Sequence, residues 1–267
     1  MASTLTPICS KRFSDYDADV VFQSSDSIQF RIHRKYLDAT AGGFPPADFA
    51  GPGPGEVIQL QEDSQTLELL FQFTCPNRHP ILDDVAFEIL APVAEAAEKY
   101  EVYAAMNHCL HCMKAHVHDH AEQVIGYAAK HDYPYLLDVA APQALSKSLS
   151  AMVSSLPQHL VVPWIQYHEQ YISIRNTALN YNSFNRCHST LNNTGLICRH
   201  WEERYRGPIT AKLLADISVL FDLKRLFEAE YETRKNTNFG CCVQQLNGWK
   251  KQTTEDLAGV KPLRDFL

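Results

Sequence analysis

The sequence predicts an α+β fold, a short sheet flanked by helices near the N-terminus followed by an all-helical extension. Three observations predict it. Two strand-like segments lie close together across a turn. A third follows a loop dense in glycine and proline. From Asp83 onward, the apolar residues recur only at helical spacing.

The first strand runs from Asp19 to Phe22, where the β-branched pair Val20 and Val21 suits a buried position. Ser24 to Ser27 is turn material. In IQFRIH, Ile28, Phe30 and Ile32 alternate with Gln29 and Arg31, so the two segments form a hairpin. RKYLDATAG predicts a short helix ending near Gly42, and the breakers from Gly42 to Gly55 predict an exposed loop. EVIQLQ supplies the third strand. A helix follows, capped by Asp63 or Ser64, with Leu67, Leu70 and Phe71 on its apolar face and Phe73 or Thr74 beyond.

Pro76 and Pro80 interrupt the chain. The next helix places Phe87, Leu90, Val93, Ala94 and Ala97 on one face, and Pro92 predicts a helix start or a boundary there. VYAAMNHCLHCMKAHV and EQVIGYAAKHDYPYLLDVAAPQAL continue in helical pattern, with Pro134, Pro142 and Pro157 as punctuation. Pro163 suits the first turn of another helix. Asn176 to Gly195 is polar and reads as a loop. The stretch from Pro208 to Lys235 reads as one long helix with Ile209, Leu213, Ile217, Leu220, Phe221 and Phe227 on its face, and the tail after Asn236 has no strong pattern. The organisation is a domain over 13–120 and a helical extension over 121–267, with the polar loop near 176–200.

The 267 residues are 45% hydrophobic and carry a formal charge of −7. No basic block marks a nucleic-acid partner. MASTLTPICS lacks a basic region followed by an apolar run, and no apolar run reaches the length of a span. The expectation is a cytoplasmic or nuclear protein whose eight cysteines are thiols or ligands rather than a disulfide frame.

SDYDADVVFQSSDSIQFRIHRKYLDATAGGF resembles the opening of a BTB/POZ domain, with Asp19 before the first strand and Phe30, His33 and Leu37 in the next motif. EVIQLQEDSQTLELLFQFTC is similar to the next block of that family, and EILAPVAEAAEKYEV to its Ala-x-Lys-Tyr helix, through Ala97, Lys99 and Tyr100. The helical continuation resembles that of fungal members. One departure stands out: where the family has Ser-x-x-Phe after the first helix, TAGGFPP keeps Phe44 without the serine, which weakens the usual dimer.

The resemblance implies a protein-interaction module with no cofactor and no catalytic set. Its expected partners are proteins, including a second copy and a cullin-type ubiquitin-ligase scaffold or a regulatory complex. Phe30, Leu37 and Tyr100 are expected in the core. His33 is expected to bond a backbone carbonyl and cap the following helix. Asp19 has two readings, a local cap or a partner-reading group in a groove near the dimer surface.

The competing chemistry lies in HCLHCMKAHVHDH, His108 to His120. At about 100° per residue on one helix, Cys109, Cys112, His116 and His120 fall in a strip beside the apolar stripe. The strip spans about 16 Å, so one zinc ion cannot take all four. Cys112 with His116, or His116 with His120, are the feasible pairs. Val117 stands where a zinc protease needs glutamate. Cys187, His188, Cys198 and His200 offer a second candidate zinc set in the polar loop. A zinc-stabilised or metal-dependent protein, and a scaffold domain that does not dimerise, are therefore the alternatives. The sequence lacks a Gly-x-Ser-x-Gly elbow, and in GPGPG proline removes the backbone donors a phosphate would need.

Overall fold

The computed structural model of the protein describes residues 8–44, 57–181, 199–228 and 240–267. It divides into two compact units, one up to His120 and one from Ala121 onward.

The N-terminal unit is built on a four-stranded sheet, β1 (Ile8–Ser14), β2 (Val20–Gln23), β3 (Ile28–Ile32) and β4 (Val57–Gln59), in the order β1-β3-β2-β4. The hairpin β2–β3 is antiparallel, with Phe22 opposite Phe30. β4 runs parallel to β2 and β1 parallel to β3. Sequence periodicity misses β1, which begins upstream of Phe13. Its pairing shifts register between Cys9 and Ser14, so Ser10 and Phe13 face inward without strict alternation.

Polar side chains fix the turns. Ser24 Oγ accepts the Ile28 N–H at 3.0 Å, and Ser27 takes the left-handed conformation with φ 69°. Asp26 in the same turn accepts the Ser64 N–H at 2.8 Å and the Ser64 hydroxyl at 2.6 Å, tying the hairpin to the start of α2 (Ser64–Leu70). Asp63 caps that helix by accepting from the Thr66 N–H at 2.7 Å. The short α1 (Arg34–Thr40) ends before Gly42, as the breakers predict.

After α2 the chain tightens into a 3₁₀ turn, Phe71–Phe73. Phe71 is fully buried and packs against four other phenyl rings: Phe13 from β1, Phe22 from β2, Phe30 from β3 and Phe44 after α1. Phe44 in turn stacks on Tyr100 at 4.6 Å with the rings nearly parallel. The helices α3 (Phe87–Lys99) and α4 (Tyr103–Ala115) complete the unit, with Leu90, Val93, Ala97 and Ala105 buried.

Pro92 neither starts nor bounds a helix; α3 passes through it. Pro92 and Glu88, whose carbonyl loses its partner, are both exposed, so water can take up the unmade bond. A similar correction applies to α8 (Gln158–Leu179). It begins after Pro157, with Pro163 in its interior and His159 exposed, and it extends past Asn176 into the region expected to be loop.

The C-terminal unit is helical. α5 (Val117–Lys130) crosses the division between units and has non-helical dihedrals at His120. α6 (Pro134–Ala144), α7 (Leu149–Ser155) and α8 follow. α9 (Arg199–Trp201) leads through a wide π turn into α10 (Gly207–Ala215). The single long helix expected from Pro208 is instead α10, a 3₁₀ segment and α11 (Leu223–Phe227). Two aspartates divide it: Asp216 accepts the Ser218 N–H at 2.9 Å and Asp222 the Arg225 N–H at 2.9 Å, each starting a new segment. Phe221 remains 45% exposed, against expectation, with its ring 5.2 Å from that of Tyr171.

The patternless tail contains α12 (Gly240–Ala258), whose inward face carries Cys242, Gln245, Trp249 and Thr253. Trp249 lies flat against Tyr181 at 5.4 Å and meets Phe227 edge-on at 5.6 Å. Among the described residues, no helix is long and apolar enough to cross a membrane.

Phe71→Ala is expected to cost the N-terminal unit about 3–5 kcal/mol, the range for truncating a buried aromatic. Phe71→Leu should cost clearly less. Urea midpoints of the transition followed by a probe in this unit check the ranking.

Candidate functional site

The signature residues fall into two groups, one at the start of α1 and one where α1 meets the end of α3. At the first, Asp19 Oδ1 accepts the Arg34 N–H at 2.7 Å. This bond satisfies a donor that the first turn of α1 leaves open, so Asp19 caps. Leu37 and Phe30 are buried.

His33 corrects its expectation. It occupies the N-cap position of α1 but makes no side-chain capping bond. Its Nε2 instead lies 2.9 Å from Asp15 Oδ2, with the imidazole donating to the carboxylate. Asp15 was not among the sequence candidates. The His33 bond, followed by the Asp17 N–H, holds its carboxyl below the usual aspartate value.

At the second group, Gly42 and Gly43 donate backbone N–H bonds to the carbonyls of Glu101, at 3.2 Å, and Tyr100, at 2.9 Å. A Cβ on Gly43 would stand 2.7 Å from the Lys99 carbonyl oxygen and the Tyr100 carbonyl carbon. Only glycine lets these two backbones approach this closely. The contact delivers Phe44 onto the Tyr100 ring. Glu62 then joins the two remaining signature residues: Lys99 Nζ donates to Oε1 and Tyr100 Oη to Oε2, both at 2.7 Å.

Burial alone would push the Glu62 carboxyl up, but the bonds from Lys99 and Tyr100 outweigh it and leave it below the usual glutamate value. Tyr100 is pushed up to about 12, by burial first and by Glu62 second. Glu62 lies in the stretch EVIQLQEDSQTLELLFQFTC but carries no pattern that singles it out from sequence.

Two cavities open on this unit. One, of about 580 Å³, lies under the segment Asn77–Asp83 and reaches His108. The His79 and His108 rings are 6.0 Å apart and both pack on Phe73. The other, of about 280 Å³, is lined by Arg12, Arg31, His33, Tyr36, Cys75 and Arg78, among others. Neither the arginines nor Cys75 stands out in sequence, because they come from β1, β3 and the segment after the 3₁₀ turn.

The Cys/His strip does not lie on one helix. α4 stops at Ala115, and the chain turns at His116 before α5. Cys109 and Cys112 are buried, and Cys112 Sγ points to Asp83 Oδ1 at 3.9 Å. Burial, then Cys112, pushes the Cys109 thiol up to about 12, and burial with Asp83 raises Cys112. Both are protonated at neutral pH and are poor nucleophiles. His116 and His120 pack on Phe87 instead, His120 lying flat on its ring at 4.0 Å.

Among the described residues, no three His, Cys, Asp or Glu side chains converge as metal ligands. Cys187, His188 and Cys198 lie outside the described residues, and His200 packs against Tyr205. No protein-family model and no curated protein matches this chain.

The Glu62 bonds and the Gly43 contact each generate a prediction. Because Glu62 is depressed, its contribution is present above the reference value of 4.5 and fades as pH falls through the folded value. Tyr100 is raised, so its contribution holds below 10 and fades as pH rises through about 12. Glu62→Gln should therefore lower stability near pH 7 by about 1–3 kcal/mol, chiefly through the Tyr100 bond because the Lys99 end is open to solvent. It should also make the stability loss below pH 4.5 shallower, which urea titrations at several pH values would reveal. Gly43→Ala should cost about 1–3 kcal/mol by forcing the two backbones apart. The Phe44 contact is the readout: its ring should lose its rigid environment in NMR spectra while the β2–β3 hairpin keeps its pairing.

Proposed function

We propose that this chain is a protein-interaction adaptor built on a BTB/POZ-type domain. It recruits a protein partner and, as a homodimer, links it to a cullin-type ubiquitin-ligase scaffold or a regulatory complex. The observation that carries the reading is how the resemblance residues are used. Phe30, Leu37, Phe44 and Tyr100 are all buried, Phe30 and Phe44 meeting on the Phe71 ring and Phe44 stacking on Tyr100, while Asp19 and Lys99 hold the ends of elements nearby. Residues that resemble a family signature and also support one another structurally fit a domain of that kind.

The surface agrees with a binding role. Ile8, Tyr16, Ile81 and Tyr103 are large apolar side chains more than half exposed on the N-terminal unit. Side chains of this type are the anchors that interfaces bury. The protonated, buried Cys109 and Cys112 thiols give no support to Cys–His catalysis.

Calorimetric titration with a cullin N-terminal domain, with analytical ultracentrifugation of the free chain, tests the proposal. Saturable micromolar or tighter binding by a dimer is the expected result. A folded monomer that binds no cullin would remove the ligase-adaptor reading.

A further inference from the structure

We propose that the cavity beside His33 is an oxyanion pocket that receives an acidic or phosphorylated side chain of the partner protein. The inference rests on the interaction role proposed above and adds the chemistry of what is recognised.

The charge balance of the lining is the first argument. Arg12, Arg31 and Arg78 line the cavity with His33, and Asp15 is the single acidic residue among its walls. The lining is thus more basic than the chain as a whole, whose formal net charge is −7. Distant acidic groups do not cancel it, because salt screens charges beyond about 8 Å at physiological ionic strength.

The nearby acids are already engaged. Asp15 is held by His33 at 2.9 Å. Glu68 accepts the Ser10 hydroxyl at 2.6 Å and pairs with Arg12 Nε at 3.6 Å. Arg31 and Arg78 have no carboxylate within 4.0 Å among the described residues. Arg31 lies instead over the exposed Tyr16 ring, 5.3 Å from its centroid. Two arginines therefore line one cavity without being committed to a carboxylate, and among the described residues the Arg31 guanidinium is held by no more than the exposed Tyr16 ring. A planar guanidinium binds a carboxylate or phosphoryl group through two parallel bonds.

The size is compatible with such an occupant. Pockets for whole small molecules are typically about 300–1,000 Å³. At about 280 Å³, this cavity lies at the lower edge of that range and has room for one acidic side chain or its phosphoryl group. Tyr36, Pro76 and Asn77 also line the cavity and add aromatic, apolar and amide surface that a peptide can meet. A side-chain occupant can bring an adjoining backbone to such a surface, which a free anion cannot.

The test uses the full chain. Degenerate peptide libraries fixed on phosphoserine, on glutamate and on serine would be screened, and the selected peptides titrated by calorimetry with and without millimolar inorganic phosphate. Selection of the phosphoserine or glutamate library over serine supports the pocket if Arg31→Gln and Arg78→Gln each weaken binding by about tenfold or more. The relative strength of those two libraries identifies the source of the oxyanion. Arg31→Lys should recover only part of the loss, because it restores charge without the fork. Circular dichroism of each variant checks folding, and Arg78, being exposed, provides a variant that leaves the core untouched.

Peptide binding indifferent to both arginines would overturn the proposal, as would a folded chain that selects neither anionic library. Binding of inorganic phosphate alone would overturn the side-chain occupant and leave a site for a small free anion. Cullin binding with no anionic peptide selected would overturn this pocket while leaving the adaptor role intact.

Discussion

The N-terminal unit depends on one side chain. The Phe71 ring is the place where β1, β2, β3 and the segment after α1 converge, because each contributes one phenylalanine to it. These contacts join residues far apart in sequence, so the ring cannot acquire its environment until the sheet and the Gly42–Phe44 segment are both in place. The 3₁₀ turn makes this possible. It ends α2 and sends Phe73 towards His79 and His108, so that neighbouring aromatics serve separate clusters.

Around that core, carboxylates act mainly as partners for the chain itself. Asp19, Asp26, Asp63, Asp216 and Asp222 accept backbone N–H groups at element starts, and Glu62 gathers Lys99 and Tyr100. An acidic chain can in this way keep a cavity lined by more basic than acidic side chains. Those carboxylates are held by local bonds elsewhere; of the three arginines that line the cavity, Arg12 pairs with Glu68, while Arg31 and Arg78 have no carboxylate within 4.0 Å among the described residues.

The hairpin, the short α1 and the start of α2 were legible in the sequence because local rules decide them: alternation, turn residues and an aspartate cap. β1 was not, since its partner lies across the sheet and its register shift breaks the alternation. α12 was missed for a different reason. Its inward face includes Gln245 and Thr253, so the apolar stripe is interrupted, and Thr253 turns its hydroxyl back to the Trp249 carbonyl. In the opposite direction, apolar spacing from Ile209 to Phe227 suggested one helix where Asp216 and Asp222 cut it into several. The site was half legible. Asp19, Phe44, Lys99 and Tyr100 carried a recognisable pattern, whereas Asp15, Glu62 and the three arginines acquire meaning only from the fold that assembles them.

The bond from Asp19 to the Arg34 backbone has a consequence for how this surface can diverge. A main-chain N–H is supplied by every amino acid except proline, so the anchor is blind to the identity of residue 34. A substitution at position 34 other than proline therefore leaves this bond in place, whereas loss of the carboxylate at position 19 removes it and opens the first turn of the helix.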